Sequence, residues 1–152
     1  MLRESFSERL KQAMRAKDTR ALSAVRMILA GVKERDVAAR GSGNQEGIAD
    51  PEILRLLQGM IKQRRESIAL YRQGNRPELA QQEEEEIAII ESFLPQQMND
   101  DQMKAAAKAA IAEIGASGVK DMGRIMGVLR ERHAGVIDLA RAGAVVKQLL
   151  GG

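Results

Sequence analysis

Three groups of side chains in this 152-residue sequence are of types that do chemistry: a single histidine, a run of four glutamates, and a cluster of cations near the C-terminal end. The histidine is His133. Nucleophilic catalysis needs a nucleophile, a base that takes its proton near neutral pH, and a group that orients the base. No Ser-His-Asp or Cys-His set assembles around His133, and the chain has no cysteine at all. No catalytic residue is therefore assigned, and His133 reads as support for a helix C-terminus, where a partial positive charge is favoured. The glutamates, Glu83 to Glu86, do not make a metal site. Consecutive helical residues point about 100° apart, so only a pair such as Glu83 and Glu86 shares a face. The E-x-x-H pattern of di-metal bundles is also missing. The run reads as a solvated acidic face paired with arginines of the preceding helix, and no metal or cofactor is expected.

The cations carry more. From Lys120 to Leu150, Lys120, Arg124, Arg130, Arg132, Arg141 and Lys147 outnumber Asp121, Glu131 and Asp138. Arginine and lysine on a helical hairpin neutralise phosphates without reading bases, although a solvated cationic face would have the same composition. Gly123 and Gly127 lie four apart, so they stack on one side of the same helix. An interior glycine costs a helix about 1 kcal/mol relative to alanine. Two in one short helix mean that something comes close to its backbone, either a tightly packed neighbouring helix or an external backbone such as nucleic acid.

The elements that position these residues are helices throughout. Leu2, Phe6, Leu10 and Met14 mark the inward face of a first helix, with Ala13 beside them. Asp18 or Thr19 caps a second, whose stripe is Leu22, Val25, Leu29 and Val32. Basic residues, among them Arg15, Lys17, Arg20, Arg26, Lys33 and Arg35, cluster around these two. Arg40 to Gly47 reads as a flexible loop, and its G-S-G is no phosphate cradle because neither the preceding strand nor the following G-K-[ST] is present. Asp50-Pro51 starts a third helix, with Asp50 as N-cap. Gly74 to Pro77 ends it and opens a fourth that runs to Pro95. Asn99, with Gln102 as its capping-box partner, opens a fifth that closes at Gly115. Asp121 caps the sixth by accepting from its first turn; Met122, Ile125, Met126 and Leu129 are its apolar face. Gly135 ends that helix in the left-handed conformation, and Asp138 caps the seventh, which turns Leu139, Ala142, Val145, Val146, Leu149 and Leu150 inward. The fold class is all-α, about seven helices: an N-terminal four-helix domain over 1–95 and a C-terminal three-helix domain over 96–152.

Composition agrees with that reading. Two Phe, one Tyr and no Trp disfavour sheets, and they also disfavour base stacking on aromatic platforms. The net charge of +3 permits an anionic partner without demanding one. Absence of cysteine fits a reducing compartment, and the chain lacks both a run of 18 apolar residues and a signal-peptide core. A cytoplasmic protein without membrane contact is the expectation.

Several blocks resemble the YqeY family in order and spacing: R-M-I-L-A-G-V-K at 26–33, K-Q-R-R-E-S-I at 62–68, Y-R-Q-G-N-R-P-E-L-A at 71–80, E-E-E-I-A-I-I-E-S-F-L-P at 84–95, and K-D-M-G-x-x-M-G with a closing V-x-x-L-L in the last hairpin. The resemblance spans essentially the whole chain and implies two all-helical domains. The second is similar to the tail domain of GatB, the B subunit of the tRNA-dependent amidotransferases. That tail contacts the outer part of tRNA, while a separate cradle domain carries the ATP and transamidation chemistry; nothing here resembles the cradle. The resemblance implies a non-catalytic helical accessory protein that binds tRNA or a tRNA-handling enzyme. Its nucleic-acid-binding residues would be Lys120, Gly123, Arg124, Gly127, Arg130, Arg132 and Arg141. The alternatives are a protein–protein module built on long amphipathic helices and a methionine-rich last domain, and, by homology only, a part in glutamine-dependent amidotransferase (carbon–nitrogen ligase) activity.

Overall fold

The computed structural model describes residues 1–151. Among them it contains seven α-helices and no strand: α1 (Leu2–Ala16), α2 (Thr19–Gly41), α3 (Asp50–Gln73), α4 (Pro77–Glu91), α5 (Asp100–Ile114), α6 (Met122–Arg132) and α7 (Leu139–Leu149), with a short 3-10 turn at Val119–Asp121. The helices form two compact units, Met1–Leu94 and the chain from Pro95 onward.

In the first unit, Phe6, Val25, Ile28, Val32, Ile53, Leu57, Ile61 and Ile90 close into one core, and the Phe6 and Phe93 rings meet edge to face at 4.8 Å. Asp18 caps α2 by accepting from the Ala21 amide. The inward stripe of α2 is Ala21, Ala24, Val25, Ile28 and Val32, and Leu22 and Leu29 flank it. Met14 is exposed rather than inward: α1 buries Phe6 and Ala13, and Met14 lies to the side of that line in the last turn. Helix α2 also continues through Gly41, so Arg40 is helical and not part of the loop. The N-cap of α3 is Ala49, one residue before Asp50.

The segment after α2 is tied down. Asp36 accepts two hydrogen bonds from the Arg3 guanidinium, at 2.7 and 2.8 Å, and one from the Ile48 amide at 2.8 Å; Arg3 also donates to the Ile48 carbonyl. Asn44 bonds to the Gly47 carbonyl, and its own side-chain oxygen takes the Glu46 amide. These bonds hold in place what composition alone reads as a flexible connection.

The glutamate run of α4 is a solvated face only in part: Glu84 and Glu85 are exposed, and arginines of the preceding helix pair with the run as expected. Glu86 is buried and receives the Arg64 Nε at 3.1 Å, and Arg64, itself buried, also lies 3.6 Å from Glu83. Arg20 pairs with Glu85 at 3.0 Å, and Arg72 pairs with Glu84. Each of the four glutamates thus faces an arginine, and Arg64–Glu86 stitches α3 to α4 inside the unit.

In the second unit, Met103, Ala107 and Ala110 of α5 pack with Ile125 and Leu129 of α6, Ile137, and Ala142 and Val146 of α7. Asn99 and Gln102 form the full capping box, and Gly115 closes α5 in the left-handed conformation at φ 72°. The Met98 amide donates to the Val136 carbonyl and the Gln97 amide nitrogen to Gly135, fastening the start of the unit to the α6–α7 turn. Gly135 has φ 80°, and Asp138 caps α7 by accepting from Ala140 and Arg141.

Candidate nucleic-acid interface

Helix α6 is positioned by its two large aliphatic side chains. Ile125 and Leu129 are buried, with Met122 and Met126 partly so against the same core. At about 100° per residue, the side opposite Ile125 and Leu129 carries Gly123, Gly127 and Glu131, with Arg130 along one edge and Arg124 along the other. Gly123, Arg124 and Arg130 are exposed. A side chain built on either Gly123 or Gly127 would meet no atom within 4 Å. The tight-packing explanation for these glycines therefore fails among the described residues: no neighbouring helix packs against either, Gly123 being exposed and Gly127 half-buried.

The approach to α6 differs from the sequence expectation. Asp121 does not cap the first turn with its carboxylate. It stands at the end of the 3-10 turn, and its side chain accepts from the Ser117 amide at 3.2 Å, holding the turn instead of the helix. That turn presents Lys120, which is exposed, immediately before the glycine face.

The expected site residues divide into two sets. Lys120, Gly123, Arg124, Gly127 and Arg130 come together on the outward side of α6 and its leading turn. Among the described residues Lys120 and Arg130 have no salt-bridge partner; Arg124 has a long, exposed contact with Asp121 at 3.7 Å. Arg132 and Arg141 are placed elsewhere. Arg132 points halfway round α6 from Gly123 and pairs with Glu113 of α5 at 2.5 Å. Arg141, on α7, pairs with Asp100 at the start of α5. Both ion pairs are solvent-exposed and add little to stability, but they leave the two charges partly compensated. His133 is the C-cap of α6, its amide bonded to the Leu129 carbonyl.

The perturbed acids lie outside this site. The Arg3 hydrogen bonds, followed by the Ile48 amide, hold the Asp36 carboxyl down to about 2. Burial, helped by the neighbouring Glu86 charge, pushes Glu83 up. Among the described residues no three His, Cys, Asp or Glu side chains gather so as to hold a metal ion, and no helix is long and apolar enough to cross a membrane. Sequence reasoning missed the buried Arg64–Glu86 pair. The signal was present: Arg64 falls at the spacing of Leu57, Ile61 and Ile68, and Glu86 at that of Leu79 and Ile90, so both sit in apolar stripes.

Comparison with known proteins follows the same outline. The family model described as Yqey-like protein matches residues 3–150. Two curated relatives are similar over little more than half of this chain. One is "Altered inheritance of mitochondria protein 41, mitochondrial" of Lachancea thermotolerans, 36% identical over 87 residues, which are 57% of this chain and 44% of the relative. The other, of the same description, is from Vanderwaltozyma polyspora and is 33% identical over 85 residues, 56% of this chain and 44% of the relative. The aligned part thus spans under half the length of these relatives.

Proposed function

This chain belongs to the YqeY family, and on that premise we propose that it is a non-catalytic accessory protein that contacts tRNA, alone or on a tRNA-handling enzyme, through the outward side of α6. One observation carries the reading. Gly123 and Gly127 leave the α6 backbone bare, and Lys120, Arg124 and Arg130 flank the bare strip, with Glu131 the one acid beside it among the described residues of α6. A smooth helical surface edged by flexible cations lets a sugar–phosphate backbone approach closely while its charge is neutralised. Phosphate contacts of this kind position a nucleic acid without reading its sequence. The resemblance to the amidotransferase tail points to the same class of ligand. Chemistry on the tRNA itself is assigned to another protein, because no nucleophile–base pair stands near the strip.

The arrangement also ranks the cations. Lys120, Arg124 and Arg130 are the phosphate contacts; Arg132 and Arg141 are paired with Glu113 and Asp100 of α5. The test is polarisation of labelled bulk tRNA with two sets of variants. Lys120→Gln/Arg124→Gln/Arg130→Gln is expected to weaken binding at least tenfold, and Arg132→Gln/Arg141→Gln to change it less than threefold. Equal loss in both sets, or no loss in the first, contradicts the assignment.

A further inference from the structure

Helix α2 buries one side and leaves the other bare. Ala21, Val25, Ile28 and Val32 point inward. On the outer side Arg26, Lys33 and Arg40 recur seven residues apart, all three exposed. Seven residues fall about 20° short of two full turns, so the three side chains line up in a nearly straight row about 21 Å long, with rungs about 10.5 Å apart. The row is complete only because α2 continues through Gly41.

Among the described residues none of the three cations has a salt-bridge partner. Arg20, on another side of the same helix, does have one in Glu85. Arg40 contributes to the field on Asp36, but the Asp36 oxygens are taken by Arg3 and the Ile48 amide. The acids nearest the row are Asp36, about 60° round the helix from Lys33 and held by Arg3 and the Ile48 amide, and Glu34, about 100° round on the other side.

We infer that Arg26, Lys33 and Arg40 form a second phosphate-contact surface, which takes the backbone of the same RNA class as α6; this rests on the tRNA reading above. The neighbours of the row select this ligand over a protein. Ser23 and Ala30 are small and exposed, and among the described residues the row has no aromatic residue beside it: Met27 and Val37 are its exposed apolar neighbours. Protein interfaces draw their affinity from large anchors, aromatic above all, seated in fitted pockets. A polyphosphate needs only cations that reach it, and small side chains between the rungs let it come close.

Counterion release makes the inference measurable. Each phosphate neutralised steepens the dependence of log K on log salt by about 0.7 to 0.9. Full-length protein is titrated with labelled bulk tRNA at salt concentrations from about 50 mM upward, the range over which such slopes are read. Arg26→Gln/Lys33→Gln/Arg40→Gln is expected to flatten the slope by about 2 to 3 units. The charge-retaining Arg26→Lys/Lys33→Arg/Arg40→Lys keeps the slope, and circular dichroism melting confirms that both variants fold. Glu34→Gln tightens binding. The two readings fail separately. No binding by the unaltered protein at low salt overturns both. Binding whose slope the triple neutralisation leaves unchanged overturns the α2 surface alone and leaves an acidic protein as its candidate partner.

Discussion

Asp36 sits where three donors converge: two from the Arg3 guanidinium and one from the Ile48 amide. The carboxylate is favoured over the acid, and its pKa falls from 3.8 to about 2. Because the folded value lies below the unfolded one, the stabilisation is complete above about pH 4 and is lost as pH falls toward 2. Asp36→Asn is expected to destabilise the protein by about 1–3 kcal/mol at pH 7, the cost of leaving charged and backbone donors unpaired. In urea titrations the gap between the two proteins should narrow from pH 4 to pH 2. A constant gap would show that the carboxylate charge is not what matters. Gly47 is bound to the same site: it has φ 89°, and a side chain there would stand 2.5 Å from an Asp36 oxygen. Gly47→Ala is therefore expected to destabilise by more than about 1 kcal/mol, since both backbone strain and a clash oppose it. A urea midpoint equal to that of the parent would contradict this account of the loop.

At the scale of elements, α3 and α4 are joined by a buried ion pair as well as by apolar packing. Removing one partner of such a pair strands a charge and costs about 3–5 kcal/mol, whereas replacing both with apolar groups is often neutral. Glu86→Ala is accordingly expected to unfold at much lower urea, and Arg64→Met/Glu86→Leu to recover most of the loss. If the double variant is no better than the single one, packing rather than charge joins these helices. Helix α6 makes the opposite kind of prediction. Gly123→Ala and Gly127→Ala meet open space, so each should stabilise the helix by about 1 kcal/mol. The same substitutions should weaken tRNA binding, because the added methyl groups stand between the ligand and the backbone. A gain in melting temperature with unchanged binding would separate the glycines from function.

Most of this architecture was legible in the sequence. Asp18, the Asn99–Gln102 box, Gly115 and Asp138 mark helix ends because their chemistry satisfies free backbone groups locally, and each does so in the structure. Asp121 departs from this pattern: a capping carboxylate has several amides within reach, and tertiary context gives this one the Ser117 amide. Asp50 departs by one position, since the helix already begins at it. The basic cluster of the last hairpin was visible as composition, but its division was not. Whether Arg132 or Arg141 is free depends on Glu113 and Asp100, residues 19 and 41 positions away. Pairings at that separation leave no local periodic signal.

At the scale of the whole molecule, two helical units each present a bare, cation-edged surface, while the deeply perturbed acids serve packing. Surfaces of this kind are suited to holding a polyanion. Purified protein given ATP, glutamine and misacylated tRNA is expected to produce no transamidated product. Turnover by the chain alone would place its chemistry in residues that this account assigns to packing and binding.

The most direct measurement is the affinity of the unaltered protein for bulk tRNA as a function of salt. Three phosphate contacts on α6 alone give a slope of about −2.1 to −2.7, roughly a 20- to 40-fold loss of affinity between about 50 and 200 mM salt, and the α2 row steepens it further. Binding that falls at least this fast, and does so alike for unrelated tRNA sequences, is the predicted result. No binding at the lowest salt, or binding indifferent to salt, would contradict the claim that the bare face of α6 is a phosphate surface.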